Sequence, residues 1–325
     1  MEPKTEQAEL VLNMYLDKLM ILQPSELTSI NAYNYFDADA PCQLYFVCRR
    51  PTITVDPRSF KATRDKMELV FKVLDGGNIA DFDFVFENPF HTSALSIESD
   101  PPYSSFSISK NNEPLISVKT SAFLQSFPQE LTNAGFLDLE ILYVGQTIGV
   151  DGAGVAPGKL KHHQTLQSIC DASAMKNPHH EICLLLASFQ PHNLIMTDGR
   201  KKYDANHQLE AHHKSLHTRR ALNTSDIPYQ QLINITEAAL IRYFEPPYNA
   251  EFKNIFPNPA QDTYSGCYDL NIYSIGIELD TYGIANCHIY SQKIEPKWLH
   301  MKTFLFHSSD ERKSIFDIST SNVGV

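Results

Sequence analysis

Short runs in which apolar residues alternate with polar ones, or follow one another unbroken, dominate the chain up to residue 120: 44–48, 68–74, 82–86, 106–109 and 115–118. A period of two puts every second side chain on one sheet face, so these runs predict strands. Asp75-Gly76-Gly77 and Asp100-Pro101-Pro102 supply turn chemistry between them, which predicts antiparallel pairing. Ahead of them, residues 1–22 set Leu10, Val11, Met14 and Leu22 among polar positions. That spacing predicts an amphipathic helix, and its acidic start argues against a signal peptide. Near the other end, runs 270–279 and 284–290 joined by Asp280-Thr281-Tyr282-Gly283 predict a hairpin, which either completes the N-terminal sheet or stands apart from it.

The middle of the chain has a different rhythm. Residues 139–145 predict a strand ending in glycine, followed by a glycine-rich loop at 149–158. Residues 160–171 then predict a helix, 182–189 a buried strand, and 234–244 a second helix stopped by Pro246 and Pro247. The polar interval 200–229 predicts a helix followed by a loop. The fold class is therefore α+β, in three stretches: a helix and β-rich region at 1–130, a mixed region at 131–260, and a hairpin extension at 261–325.

Composition sharpens this reading in two places. The net charge of −11 excludes a protein that coats nucleic acid over its whole surface. Between Lys159 and Arg220, however, nine Lys or Arg face five Asp or Glu, and nine of the thirteen histidines fall there. Such a stretch in an acidic chain suits a focused phosphate-binding face, and it equally suits a solvated helix surface. The six cysteines include no Cys-x-x-Cys pair, which predicts free thiols in a reducing compartment. The longest apolar run, 182–187, is too short to cross a bilayer, so a soluble cytoplasmic protein without membrane contact is expected.

One residue carries a sharp physical signal. On the helix at 234–244, Glu237 shares a face with Leu240, Ile241 and Phe244, so a carboxylate sits on the apolar side. Burying an unpaired carboxylate is costly, and it calls for a cation, a metal or hydrogen-bond donors. The alternative is a capping box, with Asn234 as N-cap and Glu237 three residues later serving only its own helix end.

Tyr143-Val144-Gly145 at a strand end, Lys159 four residues before His163, Glu237 on a later helix and Pro247-Tyr248-Asn249 beyond it, taken in this order, resemble the GIY-YIG nuclease family. The resemblance covers about residues 135–260 and implies a small mixed sheet flanked by helices, with the β-rich segments as additions. It implies that Tyr143 lies beside the attacking water as a general base, a role that needs a nearby cation because a free phenol titrates near pH 10. It implies that Glu237 ligates a single Mg²⁺ or Mn²⁺ ion, that Lys159 and His163 meet the scissile phosphate, and that Asn249 orients the local backbone. Two departures stand out. Lysine replaces the usual arginine at position 159 and cannot make the bidentate contact of a guanidinium. The first half-motif is also not recognisable, since Gly135-Phe136-Leu137 lies too close to Tyr143 and the run 115–120 lacks a tyrosine.

Arg200, Lys201, Lys202, Arg219 and Arg220 are the expected nucleic-acid contacts, and the arginines among them are alternative sources of the missing guanidinium. The expected function is metal-dependent endonucleolytic hydrolysis of nucleic-acid phosphodiesters, with DNA ahead of RNA and a restriction or defence setting compatible. The alternative is a catalytically weakened module of the same fold that binds nucleic acid or a protein. A zinc hydrolase built on His207, His212, His213 and His217 ranks last, because only His213 and His217 have ligand spacing and no third ligand is evident.

Overall fold

The computed structural model describes residues 8–28, 35–127, 134–147, 160, 163–197, 228–253, 256–257, 272 and 274–306. Twelve strands are present among these residues: β1 (Ala8–Leu22), β2 (Leu44–Ala62), β3 (Lys66–Asp75), β4 (Asn78–Glu87), β5 (Ser96–Glu98), β6 (Ser105–Lys110), β7 (Glu113–Lys119), β8 (Leu139–Gln146), β9 (His180–Thr197), β10 (Ser274–Asp280), β11 (Ile289–Tyr290) and β12 (Leu299–Leu305). The helices are α1 (Thr120–Gln125), α2 (Gln164–Lys176) and α3 (Tyr229–Phe244). The molecule is thus α+β and sheet-dominated.

Nine strands form one sheet, with the path β11-β8-β2-β9-β1-β10-β12 and with β3 and β4 attached through the far half of β2. The stretches 1–130, 131–260 and 261–325 therefore contribute alternating strands to a shared sheet. Along β2 the side chains separate by face. Leu44, Phe46 and Cys48 join the core beneath α3, while Tyr45 and Val47 join the core beneath α2. On α3, Leu232, Ile235, Ala239, Leu240 and Phe244 are buried against Leu12, Ile141, Leu185 and Ile277. A separate core lies between the β2-β3-β4 ribbon, the β5-β6-β7 sheet and α1, and it is filled by Phe71, Phe84, Phe86, Phe106 and Phe123.

Three expectations are corrected. Residues 8–22 form a strand and not a helix. β1 lies between antiparallel β9 and parallel β10, and its alternation of Leu12, Met14 and Leu16 into the core is broken by a bulge between Leu16 and Lys18. The extra residue shifts the phase so that Leu19 joins the same core while Leu22 joins the core on the other face, which blurs the period of two into a helix-like spacing. The segment 270–290 is not a hairpin either. β10 pairs with β1 and β12, while β11 pairs in parallel with β8 at the opposite edge of the sheet. The Thr281 hydroxyl, hydrogen-bonded to the Cys287 carbonyl at 2.6 Å, closes a wider loop that carries the chain away from β10. Finally, α3 begins at Tyr229, one turn before Asn234, and α2 begins at Gln164, so His163 caps that helix and is not part of it.

Candidate active site

β2 and β8 run antiparallel with Tyr45 opposite Gly145 and Val47 opposite Tyr143. The alternation that buries Phe46 under α3 points Tyr45 to the other face, where its ring lies 5.8 Å from that of Tyr143. Gly145 makes this possible. A Cβ there would stand 2.6 Å from Cε1 of Tyr143 and 2.8 Å from Cε1 of Tyr45, so only a residue without a side chain lets both rings lie over the strand. His163, delivered by the start of α2, completes the group, with its ring 5.9 Å from Tyr45 and 6.3 Å from Tyr143. Its Nδ1 is 3.4 Å from the Tyr45 hydroxyl, a long hydrogen bond.

Glu237 approaches from α3. With α3 starting at Tyr229, Asn234 lies inside the helix, and the capping-box alternative falls away. The carboxylate is instead held by an amide chain. Nε2 of Gln146, at the end of β8, donates to Glu237 Oε2 at 2.6 Å and to Asn234 Oδ1 at 2.9 Å. Gln230 donates to Gln146 Oε1 and to Asn234 Oδ1, each at 3.0 Å. Burial pushes the Glu237 carboxyl up to about 7, the Gln146 hydrogen bond opposes that rise, and the nearby charge of Glu251 adds to it. Among the described residues no lysine, arginine or histidine pairs with Glu237.

The tyrosines are held protonated. Burial, the charge of Glu237 and that of Glu251 push Tyr143 up, partly opposed by the hydroxyls of Tyr45 and Thr165. Burial, reinforced by Tyr143 and Glu237, pushes Tyr45 up further. Tyr143 is therefore a hydrogen-bonding phenol unless a cation enters the site.

Asn249 acts on the backbone. β11 covers the outer edge of β8 only at Leu139 and Glu140. Beyond that point the Tyr248 amide donates to the Leu142 carbonyl at 3.1 Å, and the Asn249 side chain takes the place of a strand. Its Oδ1 accepts from the Val144 amide at 2.9 Å and its Nδ2 donates to the Val144 carbonyl at 2.8 Å.

The structure thus brings together Tyr143, His163, Glu237 and Asn249 around the end of β8. Lys159, Arg200, Lys201, Lys202, Arg219 and Arg220, like the histidines 207–217, lie outside the described residues. Tyr45, Gln146 and Glu251 belong to the same site and do not stand out in the sequence. Tyr45 had one signal, as a lone aromatic hydroxyl within an apolar strand, but its register opposite Gly145 is a property of the sheet.

Comparison of the chain with protein-family models, with curated proteins and with solved structures gave no match. Function must therefore be argued from the chemistry of the site. Among the described residues no three His, Cys, Asp or Glu side chains converge as metal ligands. A divalent cation here would take one carboxylate from the chain and draw its remaining ligands from water and substrate, a mode that suits Mg²⁺. The largely buried Glu237, without a cationic partner among the described residues, fits such an ion, and the neighbouring Glu251 adds negative potential in its favour. No helix among the described residues is long and apolar enough to cross a membrane.

Proposed function

We propose that the chain is a metal-dependent endonuclease of the GIY-YIG type that hydrolyses nucleic-acid phosphodiesters, with DNA as the first substrate to test. The observation that carries this reading is the meeting of Tyr45, Tyr143 and His163 on one side of β8 with a largely buried carboxylate, Glu237, that no lysine, arginine or histidine among the described residues pairs with. It is supported by the second tyrosine, which the sequence lacked at the expected place and the β2-β8 pairing supplies.

In this reading Tyr143 hydrogen-bonds the attacking water; nearby positive charge would favour its phenolate, the phenol proton leaving to solvent, and the phenolate would then accept a proton from that water. Tyr45, hydrogen-bonded to His163, fixes the direction of the Tyr143 ring and excludes water from behind it. His163 faces the phosphate side, where an imidazole stabilises developing charge or hands a proton to the leaving oxygen. A divalent ion, when bound, neutralises charge on the scissile phosphate and the leaving oxygen. Lys159 and the basic residues Arg200, Lys201, Lys202, Arg219 and Arg220 supply phosphate contacts, and a restriction or defence role in the cytoplasm is compatible with such an activity.

The deciding experiment incubates supercoiled plasmid with the full chain, with and without Mg²⁺ or Mn²⁺, beside Glu237→Ala. Nicking or linearisation that needs both the ion and Glu237 is the expected result. An intact plasmid and intact RNA under all conditions, together with retained nucleic-acid binding, would replace the enzyme with a binding module built on the same fold. The raised Tyr143 phenol is the observation on that side.

A further inference from the structure

Outside the three aromatic rings, the best-connected polar feature of the site is the amide chain Gln230–Gln146–Asn234 that ends on Glu237. Its polarity is fixed by chemistry. An ionised carboxylate only accepts hydrogen bonds, so Gln146 must turn its NH₂ group to Glu237 and its Oε1 to Gln230. Gln230 donates there, and its second hydrogen goes to Asn234 Oδ1, which also accepts from Gln146. Every hydrogen of the Gln146 amide is used, one on Asn234 and one on Glu237 Oε2 at 2.6 Å. Among the described residues no donor reaches Oε1 of Glu237.

We infer that Gln146 is a positioning residue for the metal ligand: its amide, locked by Gln230 and Asn234, ties down Oε2 of Glu237 and leaves Oε1 to take the divalent cation. This rests on the nuclease reading of the site. The three amides are spread over the end of β8 and the first two turns of α3, so they also fix the distance between the strand that carries Tyr143 and the helix that carries Glu237. A carboxylate with one oxygen held and one free presents a defined monodentate ligand; a carboxylate free to rotate about its side-chain torsions does not. Partners that orient a metal ligand typically change metal affinity by about 10- to 100-fold when removed.

The test measures Mn²⁺ binding to the full chain by isothermal titration calorimetry, with no nucleic acid present. The proteins compared are wild type, Glu237→Gln, Gln146→Leu and Gln230→Leu, with thermal melting as the folding control. Wild type binds one ion and Glu237→Gln abolishes that binding. Gln146→Leu weakens it at least about tenfold, and Gln230→Leu, which never touches Glu237, weakens it less but in the same direction. The Mn²⁺ concentration for half-maximal plasmid cleavage rises in the same order, while the rate at saturating Mn²⁺ falls less. Unchanged Mn²⁺ affinity in folded Gln146→Leu and Gln230→Leu overturns the inference and leaves the nuclease reading standing. Failure of wild type to bind Mn²⁺, or binding indifferent to Glu237, overturns both.

Discussion

Glu237 ties the chemistry of the site to the stability of the fold. Its carboxyl is raised from 4.5 to about 7, chiefly by burial, so between those values the folded chain keeps a proton that the unfolded chain has released. Stability from this group is fully present below pH 4.5 and is lost as pH rises through about 7. At about 1.4 kcal/mol per pH unit the loss is at most about 3.5 kcal/mol. Glu237→Gln keeps the shape and the Gln146 hydrogen bond without the charge. It should therefore be about 1–3 kcal/mol more stable than wild type at pH 8, and no more stable at pH 4, in urea unfolding without metal. Equal stability at both pH values would mean that the carboxylate is not desolvated in solution. Tyr143→Phe removes only a hydroxyl and should leave melting unchanged while slowing plasmid cleavage by about 10²–10⁴-fold, the usual range for a lost proton-transfer group. Gly145→Ala should do the reverse of a neutral change on both counts. Its Cβ, 2.6 Å from Tyr143 and 2.8 Å from Tyr45, must push two rings apart, costing about 1–3 kcal/mol in chemical denaturation and misplacing Tyr143.

At the scale of elements, what could be read from the chain was what local pattern decides. The strands at 44–48, 68–74, 82–86, 106–109, 115–118 and 182–189 stand where alternation or an unbroken apolar run put them, because each turns apolar side chains to a core, those of Ile116 and Val118 half-buried. The strand before Gly145 and the helix carrying Glu237 were equally legible. β1 was not, because the bulge at its centre changes the phase of burial and because its apolar spacing satisfies a helix as well as a strand; pairing with both β9 and β10 decides between them. The start of α3 was missed because Tyr229 to Ile233 carry no capping signal, and no side chain caps that helix. Asn249 was named from the sequence, but its job is visible only once the outer edge of β8 is seen to have no strand beyond Glu140 among the described residues. Its two hydrogen bonds to Val144 stand in for a strand, so Asn249→Leu leaves a buried amide and carbonyl unpaired and should cost about 2–3 kcal/mol. The signature is local: the Val144 amide should exchange with deuterium much faster in the variant, and slow exchange there would show that water or another group already serves that edge.

At the scale of the whole molecule, the two tyrosines of the candidate site are united by a sheet that no local reading could assemble. Tyr45 and Tyr143 are separated along the chain by the β3-to-α1 segment, which builds its own phenylalanine core, and they meet only because β2 returns to lie between β8 and β9. The same topology makes a prediction about the stretch 131–260, which contains Tyr143, His163, Glu237 and Asn249. In isolation it would hold β8 and β9 without the strand between them, and α3 would lose Leu12, Leu44 and Phe46 from beneath its apolar face. Its unpaired strand edges and uncovered helix should leave it without a cooperative transition, and prone to aggregate. The measurement is circular dichroism melting and size-exclusion chromatography of residues 131–260 beside the full chain. A fragment that melts cooperatively as a monomer would show that β8, β9, α2 and α3 close on themselves. The tyrosine from β2 would then be dispensable to the fold, and Tyr45→Phe in the full chain would have to lower cleavage on its own to keep that residue in the site.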